Sequence, residues 1–424
     1  MNEHEWVYVD TFTHSVVVAP PPGDLVRLPR EAIDLLTTQW ILCPSDTDVR
    51  EEVLARIELL RKTLLYLEVA NTHRCNLACA PCYRLAPDVD RTLDMQPETA
   101  DRLVDWVENR LEGGAYRELT VDFLGGEPLL AADCLYHLVI RLNSAAKSHG
   151  VAFECTVVTN TTRLGRTEAA ALREAGATGV QVTFEGPRRV HDLRRGVSAG
   201  EPGSYHAQVR LLQELRGVLK VTVRVNFDRQ NLASLPELFR ALNELAEEGC
   251  FRREDLFISP VAKTFPVSPH PHLDRYAFTP QESAEAMEFI LRERLEAGLG
   301  VGDADLVPEY PCRFYVCDGY SIDAAGRFFV CGSLFGSDLH YADLVSPPSR
   351  PAWKRTDLSK RCLGCVYLPS CLGGCPMLGP LSEAGLHFCP APYIDTYLRT
   401  VALTLARCSP ADPPRAGNRS TRGG

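Results

Sequence analysis

With 424 residues, 45% of them hydrophobic, the chain can bury a substantial core, which excludes a disordered polypeptide. Its net charge of -10 is spread over interspersed acidic and basic residues, so no basic face for nucleic acid or an anionic membrane is expected. Neither a basic, apolar leader at the N-terminus nor a membrane-length apolar run is present, and a cytoplasmic protein that spans no membrane is the expectation.

The first elements in chain order are a strand pair at 6–9 and 15–18, then a Pro-rich turn at 20–23 and helical segments, together an N-terminal extension over 1–62. From Leu64 short apolar runs alternate with helix-period segments. The strands fall at 64–70, 119–124, 153–159, 180–184, 221–227 and 256–261. Between them, 97–111 carries Pro97 in its first turn and Leu103, Val104, Val107 and Leu111 on one stripe, while 234–248 opens on Ser-Pro, so both read as helices. Six β/α units over 63–300 imply a parallel α/β sheet with right-handed crossovers, either doubly wound or a full or partial barrel. In each of these architectures chemistry gathers at the C-terminal strand ends, which directs attention to the loops after Ala70, Leu124, Thr159 and Phe184. Residues 409–424, rich in Pro, Arg, Gly and Ser, are expected to be a disordered tail.

Sixteen cysteines in a cytoplasmic chain point to metal or redox chemistry, because the cytosol keeps thiols reduced. Three lie between Cys75 and Cys82 and eight between Cys312 and Cys389; Cys43, Cys134, Cys155, Cys250 and Cys408 read as buried apolar side chains. The loop after the first strand is Cys75-x3-Cys79-x2-Cys82, followed by Tyr83. Three thiolates this close can ligate three irons of a cubane and leave the fourth open; a zinc site or three buried thiols use the same residues.

This spacing resembles the signature of the radical S-adenosylmethionine (SAM) superfamily. The resemblance implies a partial (β/α)6 TIM-like barrel, Cys75, Cys79 and Cys82 as ligands of a 4Fe-4S cluster, the cofactor's methionine moiety on the free iron, and Tyr83 near its adenine. Gly125-Gly126-Glu127-Pro128 after the second strand is similar to the family's GGEP segment, which receives the cofactor's ammonium. Thr159-Asn160 and the segment containing Thr183, Glu185 and Gly186 resemble positions that touch the ribose and carboxylate. His191-Asp192-Leu193-Arg194-Arg195 resembles the HD-x-x-R segment of peptide-modifying members, with Arg195 as the expected cofactor contact. Glu185 departs from the pattern, which usually has Asp there.

Towards the C-terminus, Cys312-x4-Cys317-x8-Gly326-x4-Cys331 precedes Cys362-x2-Cys365-x5-Cys371-x3-Cys375 and then Cys389. The pattern resembles the SPASM module of radical SAM enzymes, a cysteine-rich domain placed here at 301–408. The resemblance assigns Cys312, Cys317, Cys331 and Cys375 to one auxiliary 4Fe-4S cluster and Cys362, Cys365, Cys371 and Cys389 to another. Eight thiolates saturate two cubanes, so these clusters are expected to carry electrons and not to bind substrate. The expected activity is oxidative modification, with cross-linking foremost, of a ribosomally made precursor peptide, with electrons from an external flavodoxin or ferredoxin-type donor. The alternatives are action on a sugar or amino acid, or anaerobic sulfatase maturation; against the latter, Gly332 follows Cys331 where those enzymes typically carry an aspartate proposed as a base. Asp318, beside Cys317, reads as a proton acceptor or a loop carboxylate, and leader-peptide binding by 1–62 stands beside a plain packing role.

Overall fold

Alternating apolar residues place six central strands, and the computed structural model, which describes residues 6–10, 15–19, 55, 58–85, 89–196, 203–260, 271–300 and 313–349, forms each of them. They are β3 (Leu64–Ala70), β4 (Glu118–Leu124), β5 (Ala152–Thr159), β6 (Gly179–Phe184), β7 (Lys220–Phe227) and β8 (Leu256–Pro260). They lie side by side in chain order, every pair parallel. Upstream, β1 (Trp6–Asp10) and β2 (Ser15–Ala19) pair antiparallel with each other.

The helices α1 (Pro97–Leu111), α2 (Ala132–Ser148), α3 (Arg166–Ala175), α4 (Arg188–Arg194), α5 (Ser204–Glu214), α6 (Leu235–Glu247) and α7 (Pro280–Glu296) fill the crossovers and follow the last strand. In α1, Pro97 sits in the first turn, where its missing N–H is harmless, and Ala100, Leu103, Val104, Val107 and Leu111 are buried along one face. Thr279 starts α7 as a capping box, its hydroxyl accepting from Glu282 N–H and Glu282 accepting from Thr279 N–H.

After the short helix α8 (Arg313–Val316), the strand β9 (Asp318–Ile322) joins the same sheet, parallel to β3, and β10 (Arg327–Phe329) and β11 (Ala342–Asp343) continue it antiparallel. The nine-stranded order is β11-β10-β9-β3-β4-β5-β6-β7-β8. Its end strands do not pair, so the α/β barrel is open and partial. Segment 313–349 is therefore continuous with the barrel's own sheet.

One face of the sheet is apolar: Leu65, Leu67, Val69, Leu119, Val121, Phe123, Val180, Val182, Val223 and Val225 are buried in one core with the helices. Burying each such side chain contributes about 1.5–3 kcal/mol. The alternate residues face the other way and include Tyr66, Glu68, Asp122, Thr183, Arg224, Asn226 and Ser259. Parallel strands packed on both sides are normally continuous apolar runs. A polar inner face marks the concave side as a site.

Candidate functional site

The cysteine loop leaves the C-terminal end of β3 and is pinned before it reaches its first cysteine. Asn71 Nδ2 donates to Pro128 O at 3.0 Å, Arg74 Nε donates to Asp94 Oδ1 at 2.8 Å, and Thr72 Oγ1 donates to the same oxygen. The turn after β4, which holds Gly125 and Gly126, lies directly on this loop: Gly126 N–H donates to Thr72 O at 2.9 Å and Glu127 N–H to Arg74 O at 2.7 Å. A Cβ at Gly126 would stand 1.7 Å from Arg74 O, so only glycine permits the approach.

Glu127 is fully buried. Its carboxylate accepts from Asn160 N–H at 2.6 Å, Thr159 Oγ1 at 2.9 Å and Leu129 N–H at 3.3 Å, linking the β4 and β5 loops. Burial raises its pKa and these hydrogen bonds oppose the rise. Asn160 in turn donates to Asn76 Oδ1 at 2.8 Å and lies 3.7 Å from Cys75 Sγ. Thr161 follows with φ of 70°, a strained conformation for a β-branched residue.

The loop is closed from the other side by α4. Ala80 N–H donates to Arg194 O at 2.8 Å, and His272 Nε2 lies 3.0 Å from Cys82 O. Arg195 is buried and its guanidinium donates to Thr183 O, while its positive charge opposes the rise that burial gives the Cys79 thiol. Gln208 Nε2 donates to the same Thr183 oxygen at 3.0 Å.

Glu185, the residue that departs from the family pattern, is held in a buried network. Asn226 Nδ2 donates to its Oε1 at 2.8 Å and Arg194 Nε to its Oε2 at 3.3 Å, while Arg194 also pairs with fully buried Asp228. His191 Nδ1 accepts the Glu185 N–H at 3.2 Å, so its Nε2–H donates to Ser204 Oγ at 3.0 Å. Burial and the Arg195 charge push His191 well below the usual histidine range, which keeps it neutral.

Tyr83 packs with Ala70, Leu124, Phe329, Leu334 and Phe335, an apolar cluster shared by the cysteine loop and the β9–β11 segment. In that segment Cys317 is buried and its thiol is pushed up to about 12 by desolvation; Cys331 is half-buried, 3.1 Å from Ser333 Oγ. Gly332 N–H donates to Glu68 Oε2 at 2.9 Å, and Ser321 Oγ donates to the same atom at 2.9 Å. Asp318 belongs to β9 rather than to a loop, and Arg110 and Tyr116 both donate to its carboxylate, so it is no free base. Cys312, Cys362, Cys365, Cys371, Cys375 and Cys389 lie outside the described residues, as do 301–312, most of 1–62 and the 409–424 tail.

Sequence reasoning missed three groups: Asp228 with Asn226 and Asn231, the donor Gln208, and the Tyr66–Glu68–Asp122 cluster. Asp228 directly follows β7, where the strand-end rule used elsewhere would have found it. Tyr66 OH donates to Asp122 Oδ2 at 2.8 Å and lies 3.3 Å from Glu68 Oε1, and burial raises both carboxylates above their ordinary range.

Residues 71–242 match the model of the radical SAM superfamily. They form a radical SAM domain. Fe-coproporphyrin III synthase of Methanosarcina barkeri is 29% identical over 174 residues, 41% of this chain and 39% of the relative. PqqA peptide cyclase of Rhodopseudomonas palustris is 31% identical over 168 residues, 39% of this chain and 40% of the relative. The chain thus spans about two fifths of the length of the curated relatives it matches. Among solved structures, native anSMEcpe with bound AdoMet and Cp18Cys peptide superposes with a TM-score of 0.57 at 16% identity, covering 82% of this chain and 98% of that one. With 82% of the chain covered, that likeness extends the shared fold beyond residues 71–242.

Three cysteine thiols in one short loop suit an iron-sulfur group, and Asn160 Nδ2 lies 3.7 Å from the Cys75 sulfur. The buried Arg195 Nε–H has no protein acceptor, a further donor available to such a group. Among the described residues no three His, Cys, Asp or Glu side chains stand close enough to hold one metal ion, so the fit rests on donor chemistry. No helix among the described residues is long and apolar enough to cross a membrane.

Proposed function

We propose that the chain is a radical SAM enzyme that oxidatively modifies, and foremost cross-links, a ribosomally synthesised precursor peptide. The observation that carries it is the Cys75–Cys82 loop at the end of β3, locked to Gly126 and Glu127 and facing a polar concave sheet. A 4Fe-4S cluster and SAM, when bound there, supply a 5'-deoxyadenosyl radical that abstracts hydrogen from substrate.

In this reading Cys75, Cys79 and Cys82 hold the cluster. Tyr83, Gly125, Gly126, Glu127, Thr159, Asn160, Thr183, Glu185 and Arg195 build the cofactor pocket. Glu127 acts chiefly by fixing the Asn160 backbone, since its oxygens are taken by Thr159, Asn160 and Leu129. Cys312, Cys317, Cys331 and Cys375, and Cys362, Cys365, Cys371 and Cys389, would hold two auxiliary 4Fe-4S clusters able to accept the substrate's second electron, and an external flavodoxin or ferredoxin-type donor would supply the electron that starts the reaction. The domains follow as 1–62, 63–300, 301–408 and a 409–424 tail, in a cytoplasmic protein.

The names of PqqA peptide cyclase and of the peptide-bound anSMEcpe structure support a peptide substrate. The match to Fe-coproporphyrin III synthase supports a second reading, a small-molecule substrate. Anaerobically reconstituted protein given dithionite, SAM and peptides encoded beside its gene is expected to release 5'-deoxyadenosine and to take two hydrogens from one peptide by mass spectrometry. SAM cleavage that responds only to a tetrapyrrole, sugar or amino acid would establish the second reading.

A further inference from the structure

The surface around the cysteine loop carries cations that the fold does not use. Asn76 and Ala78 are exposed between the half-buried Cys75 and Cys79. On one side Asn76 Nδ2 donates to Thr162 Oγ1 at 2.7 Å, which brings the loop after β5 and its exposed Arg163 alongside. On the other, Gly196 approaches Ala78 so closely that a Cβ there would stand 2.6 Å from Ala78 O. Leu193 and Arg189 follow Gly196 back along α4 at helical spacing, and Arg188 opens the helix. Leu193 is 79% exposed, and both arginines are exposed. The ion pairs of α4 are made by inward-facing Arg194, and among the described residues no carboxylate pairs with Arg163, Arg188 or Arg189. The acids near them in the chain turn elsewhere: Asp192 accepts from Tyr205 N–H at 2.9 Å and Glu168 from Gly165 N–H at 3.0 Å.

We propose that this face, with Ala78 and Leu193 at its centre and Arg163, Arg188 and Arg189 around them, docks an acidic one-electron carrier protein that supplies the electron starting the reaction. The inference rests on the radical SAM reading and adds to it the place where the donor binds. A carrier seated here stands one loop's thickness from the group that Cys75, Cys79 and Cys82 would hold. It gives up one electron and the cluster gains one, with no bond made or broken. The chain's net charge of -10 repels an acidic partner from most of the molecule. Three unpaired guanidinium groups reverse that repulsion locally, which steers the encounter and sets its orientation. Transient electron-transfer contacts are small, below about 1,200 Å² in total, so a patch of a few side chains around an apolar centre is enough. An acidic peptide is the competing occupant, and the choice of reductant separates the two.

The test uses the full chain, reconstituted anaerobically and given SAM, with 5'-deoxyadenosine release measured on dithionite and on an acidic flavodoxin or ferredoxin held reduced. Binding of each carrier at low ionic strength is followed by surface plasmon resonance. The variant Arg163→Glu/Arg188→Glu/Arg189→Glu is expected to keep the parental rate on dithionite, while its carrier-supported rate and its carrier affinity fall about tenfold or more. Added salt should slow the carrier-supported rate of the parent and leave that of the variant little changed. The control Arg102→Glu/Arg173→Glu/Arg240→Glu, with the same charge change at exposed positions of α1, α3 and α6, is expected to retain most of the carrier-supported rate. An unchanged carrier-supported rate in the first variant overturns the inference, and so do equal losses in the two variants, which trace the effect to overall charge. A matching loss on dithionite overturns it in favour of a role in substrate binding or folding. A parent that turns over on dithionite but with neither carrier overturns the partner assigned to this face. If the parent releases no 5'-deoxyadenosine even on dithionite, the radical SAM reading itself fails, and the inference with it.

Discussion

At the scale of single residues the site is governed by buried charge. Arg194 sits between Glu185 and Asp228, and all three are almost fully removed from water. Arg194→Ala strands both carboxylates, and urea unfolding is expected to show a loss of about 3–5 kcal/mol; a loss below about 1 kcal/mol would mean that water reaches the pair. Glu68 and Asp122 make a pH prediction. Both are raised above their ordinary values of 4.5 and 3.8, chiefly by desolvation, so between those values and the folded ones the native state binds more protons than the unfolded state. Their contribution to stability is complete below the ordinary values and is lost as pH rises through the folded ones. Stability measured across mildly acidic pH should fall more steeply in the parent than in a Glu68→Gln/Asp122→Asn variant; equal slopes would refute the shared burial. Much of the cysteine site was legible because ligand spacing is local in sequence. The polar partners were not, since Asp228, Asn226 and Gln208 acquire roles only when strands and helices far apart in the chain meet.

Among the elements, the junction of the β3 and β4 loops is the tightest contact. Gly126→Ala drives a methyl into the Arg74 carbonyl, and separating the loops should lower stability by about 1–3 kcal/mol and iron uptake several-fold after reconstitution. Gly113→Ala, with open space around its Cβ, is the control and should leave both unchanged. If the two variants take up iron equally, the loop junction does not shape the cluster site. Strand positions were readable to within a residue: β4 starts at Glu118 where the apolar run begins at Leu119, because a strand under helices must alternate on at least one face. Strand β9 was not readable. Its sequence, Asp-Gly-Tyr-Ser-Ile, has no apolar run, yet all five residues are buried, with Asp318 satisfied by Arg110 and Tyr116 and Ser321 by Glu68.

Over the whole molecule, β9 covers what would otherwise be the open edge of β3, next to the cysteine loop. A chain truncated after Ala297 exposes that row of backbone donors and acceptors along with Tyr66 and Ala70. It is expected to aggregate during size-exclusion chromatography, whereas a chain ending after residue 349 keeps the edge paired. A monomeric, cooperatively melting short form would show that the barrel is complete without β9. The parallel α/β class followed from the alternation of elements and the partial barrel from the family resemblance, while the extension of the sheet beyond residue 300 followed from neither, because it depends on a pairing across some 250 positions.

Gly332 bears on how such a protein can diversify. A side chain there would meet Glu68 Oε2 within 2.5 Å, and the Gly332 N–H is already committed to that oxygen. An acidic residue beside Cys331 has to displace the Glu68 carboxylate and then stands next to its charge, so two positions 264 residues apart in the chain are coupled. Lineages that place a carboxylate next to that cysteine should carry a small or neutral residue at the facing strand position, a pairing that a survey of related chains can count.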